Sequence, residues 1–356
     1  MNSAKLIVNS YLKVGDLNLE TNNNGKIIFF FGAGASKVDN APLASELLSE
    51  SLKLKDNGNP RIEAERIENV KEFLKDIYLN DCSNYLLFPT FEEVLSPIDI
   101  AIEKKEGFSA HWSLESLQKL RVDIIYCICE VLRDKLRGQR KYHDKFIKKL
   151  YRRDLINFVF LSSNYDILLD NALREKGMYI DYQLEETNSR RSPSKNQVML
   201  LKLHGSLNWK YFPHGISVKR QEEKIIVEEN KCNFDYSKFE PYSNEYYYAQ
   251  PLIVPPTYQK EYDNKYLNQI WKRAGEELEK ASKIFFIGYS MPDSDIHIKH
   301  LMLCSLYRKK DRPEIVVVGS TNEKSQLYNN YRRIFGEITQ LPVGFEGFIE
   351  KLDKYM

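Results

Sequence analysis

Residues 26–36 read Lys-Ile-Ile-Phe-Phe-Phe-Gly-Ala-Gly-Ala-Ser, an apolar run followed directly by a glycine-rich turn. The run from 27 to 31 is entirely β-branched or aromatic, which is typical of a strand buried on both faces of a parallel sheet. Glycines after such a strand allow a sharp turn and let a phosphate approach main-chain N–H groups. A helix beginning between Pro42 and Ser45 would direct its positive end at that phosphate. The stretch therefore predicts a strand, a helix start and, between them, a nucleotide-binding loop formed by Gly32, Ala33, Gly34 and Ser36.

This loop differs from the usual dinucleotide-binding fingerprint. That fingerprint is Gly-x-Gly-x-x-Gly, with an acidic residue about 20 positions later at the end of a second strand. Here Lys37 stands where the third small residue should be, and helical spacing rather than a second strand follows Leu47. The loop therefore indicates a nucleotide but not an ordinary dehydrogenase. The alternative is a strand, a turn and a helix that bind no ligand.

The composition is that of an ordinary soluble globular protein. The chain has 356 residues, 42% of them hydrophobic, and a net charge of +2, which gives no support for direct nucleic-acid binding. No signal-peptide pattern begins the sequence, and no apolar run is long enough to span a bilayer. The five cysteines are widely spaced and form no Cys-x-x-Cys pair, which favours reduced thiols. We therefore expect a cytoplasmic protein that contacts neither a membrane nor nucleic acid.

Short apolar runs alternate with helical spacing in two parts of the chain, which predicts βαβ units. The expected fold is α/β, with a Rossmann-like, mostly parallel sheet, helices on both of its faces and an inserted helical module. The predicted core strands lie within 26–31, 156–161, 198–203, 252–254, 283–287 and 314–318. The predicted organisation is a core of residues 1–46, 154–209 and 251–356, a helical insertion at 47–153 and a small insertion at 210–250. Within the small insertion, residues 216–218 and 224–227 could form a hairpin.

Five of the predicted strands end in polar or glycine-bearing loops. Because ligands of an open parallel sheet bind beyond the carboxyl ends of its strands, we expect these loops to share one rim. The loops are residues 32–36, 162–166, 204–206, 288–290 and 319–322.

In chain order, the first four loops contain Gly-Ala-Gly-Ala-Ser, Ser-Asn-Tyr-Asp, His-Gly-Ser and Gly-Tyr-Ser, a set that resembles the sirtuin-like (Sir2-like) family of NAD-consuming enzymes. The resemblance covers roughly residues 26–46, 156–209 and 252–322 and leaves out the helical insertion. Protein-deacylating sirtuins carry a four-cysteine zinc ribbon after the His-Gly segment, whereas residues 210–250 contain only Cys232. They also carry an Asp-x-Arg type segment after the glycine loop, and the arginine is missing here. The resemblance therefore implies NAD+ as a substrate and no zinc, and it disfavours deacylation.

The chain resembles bacterial sirtuin-like effectors of anti-phage defence more than it resembles the protein deacylases. These share Phe-Gly-Ala-Gly-Ala-Ser, Ser-x-Asn-Tyr-Asp, Leu-His-Gly-Ser and Gly-Tyr-Ser-x-x-Asp with this sequence. The resemblance implies an NAD+ hydrolase that yields nicotinamide and ADP-ribose and is gated by homo-oligomerisation or by a HerA-type ATPase partner. We expect the partner-driven type, because the residues after 322 leave little room for a ligand-sensing domain. The alternatives are a regulatory subunit that binds NAD or ADP-ribose without turnover and a protein deacylase.

Three polar residues are the candidates for catalysis. Asn164 can bind a ribose hydroxyl or position the attacking water. Asp166 can receive the nicotinamide carboxamide, cap the following helix, or do both. His204 is the candidate general base, because the reference pKa of histidine lies near neutrality; the alternative is a structural histidine beside a turn.

The remaining candidates are expected to hold the nucleotide. Ser36 and the amides of the glycine loop would hold the pyrophosphate, and the further contacts would be Gly205, Gly288, Ser290, Ser320 and Asn322. A rival interpretation is a metal site, since four potential ligands lie close together in sequence. These are Asp293, Asp295, His297 and His300. The two aspartates are also typical of a helix start, and we predict no metal.

Overall fold

The computed structural model describes residues 25–54, 64–79, 88–136, 140–153, 155–184, 196–212, 224–227, 250–254, 264–293, 295–309, 311–320 and 325–356. The strands are β1 Lys26–Phe31, β2 Phe158–Ser162, β3 Tyr179–Asp181, β4 Gln197–Lys202, β5 Gly205–Phe212, β6 Lys224–Val227, β7 Gln250–Ile253, β8 Ala281–Ile287, β9 Glu314–Val318 and β10 Thr339–Leu341. The α-helices are α1 Ala33–Lys37, α2 Ala44–Ser51, α3 Ala64–Tyr78, α4 Phe91–Lys104, α5 Leu114–Leu136, α6 Lys141–Leu150, α7 Leu168–Glu175, α8 Lys265–Lys280, α9 Ile296–Tyr307, α10 Gln326–Phe335 and α11 Phe345–Tyr355. No described helix is long and apolar enough to cross a membrane.

The main sheet has seven described strands in the order β10-β9-β8-β1-β2-β4-β3, and all of its described pairings are parallel. Helices surround the sheet and share one apolar core with it. The predicted α/β, Rossmann-like fold is therefore confirmed. The short strands β3 and β10, at the two edges of the sheet, were not predicted.

Strand β1 is buried because it lies in the middle of the sheet. Phe29 stacks on Phe285 of β8 on one side and on Phe160 of β2 on the other, with ring centroids 5.1 and 5.8 Å apart. After β1 the chain adds β2, β4 and β3 on one side, and later β8, β9 and β10 on the other. The carboxyl end of β1 is therefore a topological switch point, which is where open parallel sheets bind ligands.

The first helix begins earlier than the sequence predicts. Helix α1 starts at Ala33, directly after Gly32, so the glycine loop itself forms the first helical turn. The helix expected between Pro42 and Ser45 is present as α2, which starts at Ala44. The glycine loop is thus a helix N-terminus rather than an open loop.

Between β1 and β2, every described element is a helix. Helices α2 to α5 build a second apolar core, which also includes Tyr165 from the loop after β2 and Leu207 of β5. Helix α4 starts with the expected capping box: the Glu93 amide donates to the Thr90 hydroxyl at 3.2 Å, and the Thr90 amide donates to the Glu93 carboxylate at 2.7 Å. The insertion therefore packs against the carboxyl ends of the sheet strands. Its exact boundaries stay a prediction.

A second, antiparallel sheet has the order β6-β5-β7. The apolar run at 252–254 was predicted as a core strand, but residues Gln250–Ile253 form β7 of this small sheet. Residues 224–227 also form a strand, and its partner is β5. The expected partner at 216–218 lies outside the described residues. The prediction for β7 was wrong because an apolar run does not specify which strand it pairs with.

Candidate active site

A cavity of about 1400 Å³ lies at the carboxyl ends of the parallel strands, between the sheet and the helical insertion. Five adjacent strands, from β9 to β4, end at or beside this cavity. Nine of the sequence-predicted residues line it: Ala33, Gly34, Ser36, Asn164, Asp166, His204, Gly288, Ser290 and Ser320. The opposite wall comes from the insertion, chiefly from the start of helix α4.

The glycines after β1 and β8 allow two backbones to touch. The Gly34 amide donates to the Gly288 carbonyl at 2.8 Å, and the Gly32 amide donates to the Ile287 carbonyl at 3.0 Å. A Cβ on Gly288 would lie 2.0 Å from the Ala35 nitrogen, and Gly288 has a φ of +62°. Glycine is needed at these positions because a side chain would prevent the two backbone segments from approaching this closely.

This packing corrects the expected pyrophosphate contact. The amides of Gly32, Gly34 and Ala35 all donate to protein carbonyls and are not available to a phosphate. Among the amides from Gly32 to Ala35, only that of Ala33 has no hydrogen bond within the described part of the chain. The physical reason is that the loop continues as helix α1 and pairs with the end of β8.

Ser36 connects the glycine loop to the candidate catalytic loop after β2. Its side chain is 1% exposed; the hydroxyl donates to Asp166 Oδ2 at 2.7 Å and accepts from Asn164 Nδ2 at 3.0 Å. Asn164 Nδ2 also donates to the Gly32 carbonyl at 3.0 Å. Ser36 therefore fixes two candidate catalytic side chains, whereas a phosphate contact had been expected of it.

Asn164 keeps one polar atom for a ligand. Its two amide hydrogens are taken by Gly32 and Ser36, so the amide orientation is set by its partners. The carbonyl oxygen Oδ1 has no hydrogen-bond partner among the described residues, and Asn164 lines the cavity. This oxygen can accept a hydrogen bond from a hydroxyl group or a water molecule.

Asp166 has a structural role on both of its oxygens. Oδ2 accepts from Ser36, and Oδ1 accepts from the Leu168 amide at 3.0 Å, at the start of helix α7. The N-cap residue of α7 is Ile167, so Asp166 does not occupy the expected N-cap position, although its side chain binds the first amide of the helix. Contact with the nicotinamide carboxamide stays a prediction for this buried carboxylate.

A buried lysine holds the main chain of the same loop. Lys202, at the end of β4, is 1% exposed and donates to the Asp166 carbonyl, to the Tyr165 carbonyl at 3.4 Å and to Ser206 Oγ at 2.7 Å. Its ammonium also pairs with Asp170 at 3.4 Å. Burial lowers the pKa of Lys202, and the Asp170 charge counteracts part of this effect. Lys202 therefore holds the main chain of the loop that carries Asn164 and Asp166.

His204 is buried beside a carboxylate. The residue is 2% exposed, and its Nε2 lies 3.5 Å from Oδ1 of Asp295, which is 4% exposed. The other oxygen of Asp295 accepts from the Tyr289 hydroxyl at 2.6 Å. Burial and the Asp295 charge raise the pKa of Tyr289 well above its usual value, so the hydroxyl stays a donor. A carboxylate in this position orients an imidazole and stabilises its protonated form.

Helix α4 faces this histidine across one aromatic ring. The Tyr165 ring contacts Phe91 on one side and His204 on the other, with centroid distances of 6.2 and 6.4 Å. Glu92, the next residue of α4, lines the cavity. Burial raises the pKa of Glu92 to about 7; hydrogen bonds from its own amide and from Thr90 oppose the shift, and the Asp295 charge adds to it.

Several predicted residues have other roles or positions. Gly205 does not line the cavity; its φ is +83°, and a Cβ would lie 1.8 Å from the Leu252 carbonyl oxygen, so glycine is needed for β5 to pair with β7. Ser290 and Ser320 line the cavity with exposed side chains. Asn322 lies outside the described residues.

The rival metal interpretation does not match the geometry of its four residues. Asp293 is exposed and pairs with Lys299 at 2.8 Å, whereas Asp295 is buried beside His204. Among the described residues, the one group of three potential ligands lies elsewhere, on the surface at Glu72, Asp76 and His111. The four residues that are close in sequence are therefore not brought together in space.

Sequence reasoning missed three cavity residues. Asp295 was considered only as a metal ligand or helix start, and Tyr289 only as part of a glycine-bearing loop. Glu92 was placed within a capping segment without a functional role. Glu92 shares its helix face with Ser96 and Asp99, so no local pattern distinguished it from a surface carboxylate.

A family model and several solved structures are similar to this chain. A family model described as a SIR2-like domain matches residues 159–334. No curated protein matches the chain. Among solved structures, a mutant Sir2 homologue in complex with ADP-ribose is similar at 14% identity, with 94% of this chain and 92% of that chain covered and a TM-score of 0.40. A Sir2 homologue in complex with NAD is 15% identical, with 94% and 90% covered and a TM-score of 0.42.

The matched segment starts after β1 and the glycine loop and ends within α10. It contains Asn164, Asp166, His204 and Asp295, the polar residues that meet at the cavity. Residues 159–334 of this chain are therefore similar to a SIR2-like domain, and the similar segment includes the polar residues of the cavity.

Proposed function

We propose that the chain is an NAD+ hydrolase that cleaves the nicotinamide–ribose bond to give nicotinamide and ADP-ribose. The observation that carries this proposal is the convergence of Asn164 and the His204–Asp295 pair on one cavity at the switch point of a parallel sheet. The SIR2-like domain supports NAD+ as the substrate. The shape of the cavity also supports it, because a volume of about 1400 Å³ is ample for a dinucleotide.

The proposed chemistry assigns each of these side chains one task. The C1′–N1 bond breaks, and its electron pair leaves with the ring nitrogen as neutral nicotinamide. Water then forms the new bond to C1′ of the ribose, and its proton passes to the imidazole of His204, whose Nε2 faces Asp295. Asp295 stabilises the imidazolium that results, and the imidazolium returns the proton to solvent. Oδ1 of Asn164 accepts a hydrogen bond from a ribose hydroxyl or from the attacking water.

We further propose that this activity depletes NAD+ in anti-phage defence in the cytoplasm. A hydrolase that is always active would poison its own cell, so the site would be gated by homo-oligomerisation or by a HerA-type ATPase partner. The helical insertion is the candidate gate, because it forms one wall of the cavity. Light scattering that gives a strict monomer, both alone and with the partner, would remove the gating proposal.

The first experiment measures nicotinamide release from NAD+ by purified wild-type protein, with and without proteins co-expressed from neighbouring genes. His204→Ala and Asn164→Ala are each expected to lower kcat by about 10²-fold or more. The matched control is His111→Ala, since this histidine of the insertion is exposed and does not line the cavity. Wild-type activity in both active-site variants would contradict the assigned roles.

The same experiment separates the two main functions. Tight NAD+ binding without nicotinamide release under any condition would favour a regulatory subunit that binds NAD or ADP-ribose. Release of nicotinamide only in the presence of an acylated peptide would favour a protein deacylase.

A further inference from the structure

Glu92 is a carboxyl group on the cavity wall opposite the sheet. It lies in the first turn of α4, and the capping box of Thr90 and Glu93 fixes the start of that helix. Its neighbour Phe91 is buried against Tyr165, whose ring also contacts His204. The packing of these rings therefore holds Glu92 on a wall that faces the part of the cavity lined by His204 and Asp295.

The surroundings of Glu92 lack a matching cation. Among the described residues, its carboxyl group forms no ion pair with a lysine or arginine, although it is half-buried. Its nearest charged influences are two other carboxylates, Asp295 and Glu93. A partly buried carboxylate that faces other carboxylates is costly unless a positive charge joins it.

The other titratable or charged groups that line the cavity do not supply that charge. Lys37 pairs with Glu46 at 2.7 Å, and Lys104 is an exposed residue at the end of α4. The remaining groups are Tyr165, Asp166, His204, Tyr289, Asp295, Glu93, Glu106 and Glu346. Apart from His204, these groups are acidic or neutral. The cavity therefore has an excess of negative charge near Glu92.

NAD+ carries the complementary charge at its reacting end. The oxidised nicotinamide ring is a cation, and bond cleavage moves its positive charge to C1′ of the ribose. We propose that Glu92 is a third catalytic residue, whose carboxylate contacts the nicotinamide ribose and stabilises this positive charge as it moves. This inference rests on the hydrolase proposed above. It means that a residue of the helical insertion makes the site prefer the oxidised, cationic nucleotide.

The role of Glu92 requires its ionised form. Because its pKa is raised to about 7, kcat/KM is expected to rise with pH through neutrality. The substitution Glu92→Gln preserves shape and removes the charge. The folded-state pKa of Glu92 is higher than its unfolded-state pKa, so ionised Glu92 destabilises the fold when the pH exceeds the unfolded-state pKa. At pH 8, Glu92→Gln is therefore expected to be at least as stable as the wild type.

The test compares wild type, Glu92→Gln and the control Glu103→Gln, an exposed residue of the same helix that does not line the cavity. Nicotinamide release by Glu92→Gln is expected to fall by about 10²-fold in kcat, and its pH profile is expected to keep only the dependence that the general base His204 gives it. Glu92→Asp is expected to recover part of the rate. Wild-type kcat and an unchanged pH profile in Glu92→Gln would overturn the proposal while leaving the hydrolase assignment intact.

A second measurement does not depend on turnover. Calorimetry compares binding of NAD+ with binding of NADH, whose nicotinamide ring is neutral. The preference for NAD+ is expected to fall by about tenfold in Glu92→Gln and to stay unchanged in Glu103→Gln. An equal preference in wild type and Glu92→Gln would overturn the role of Glu92 even in a protein that does not hydrolyse NAD+. Absence of binding to either nucleotide would overturn both proposals.

Discussion

Replacing Ser36 by alanine tests how the glycine loop is connected to the candidate catalytic loop. The hydroxyl donates to the Asp166 carboxylate at 2.7 Å and accepts from Asn164 at 3.0 Å, and the side chain is 1% exposed. Alanine removes both hydrogen bonds. The methyl group fills nearly the same space, so lost hydrogen bonding is the main effect.

The expected loss follows from the two bonds. A hydrogen bond to a charged group contributes about 1.5–3 kcal/mol and one between neutral groups about 0.5–1.5 kcal/mol, so Ser36→Ala is expected to lower the free energy of unfolding by about 2–4 kcal/mol. The average unfolding entropy of about 2.1 cal/mol/K per residue gives about 0.7 kcal/mol/K for this chain. Dividing the loss in free energy of unfolding by this entropy gives an expected fall in Tm of about 3–5 °C.

Urea unfolding followed by circular dichroism, together with a thermal melt, measures this loss. The control is Ser163→Ala, because the Ser163 hydroxyl lies 3.4 Å from the Phe31 carbonyl oxygen and is only partly buried. That contact is long, so its removal is expected to cost less than about 0.5 kcal/mol. A Ser36→Ala protein that unfolds at the same urea concentration as Ser163→Ala would refute the proposed connection.

Two further substitutions test the backbone and the pH dependence. Gly288→Ala is expected to be far more destabilising than Gly177→Ala in urea unfolding. Both glycines have positive φ, but only at Gly288 would a Cβ lie 2.0 Å from another backbone atom. Gly177→Ala should lower the free energy of unfolding by about 1 kcal/mol, and an equal loss for the two variants would contradict the reasoning. Burial alone would raise the pKa of Asp39, but hydrogen bonds from the His143 side chain and the Tyr142 amide outweigh it and hold that pKa below its usual 3.8. The stability that this carboxylate contributes is therefore complete above pH 3.8 and is lost as the pH falls through the lower folded-state pKa. The difference in free energy of unfolding between wild type and Asp39→Asn should therefore disappear on acidification. A difference that does not depend on pH would contradict this.

The central part of the fold could be predicted because its physical signal is local. A strand buried on both faces needs a continuous apolar run, and β1, β2, β4, β8 and β9 all have one. The edge strands β3 and β10 have three residues each, which is too short for a recognisable alternation. Strand β7 has the apolar run but pairs with β5, and that pairing depends on the missing side chain of Gly205.

The candidate site could be predicted only in part for a similar reason. Asn164 and His204 follow predicted strands, and the carboxyl ends of parallel strands meet at one edge, so their convergence could be expected. The direction of each side chain could not. Ser36 faces Asp166 rather than a phosphate, because helix α1 begins inside the glycine loop and turns the hydroxyl inward.

The sequence by itself determined the parallel sheet, the inserted run of helices and the set of loops at one rim, because these follow from apolar periodicity and from turn residues read over short windows. Only the tertiary structure decided which polar groups meet. His204 and Asp295 lie 3.5 Å apart although 91 residues separate them in the chain, and Glu92 reaches the same cavity from the insertion. Contacts of this kind depend on how separate elements pack against each other, and no local pattern of residues records that packing.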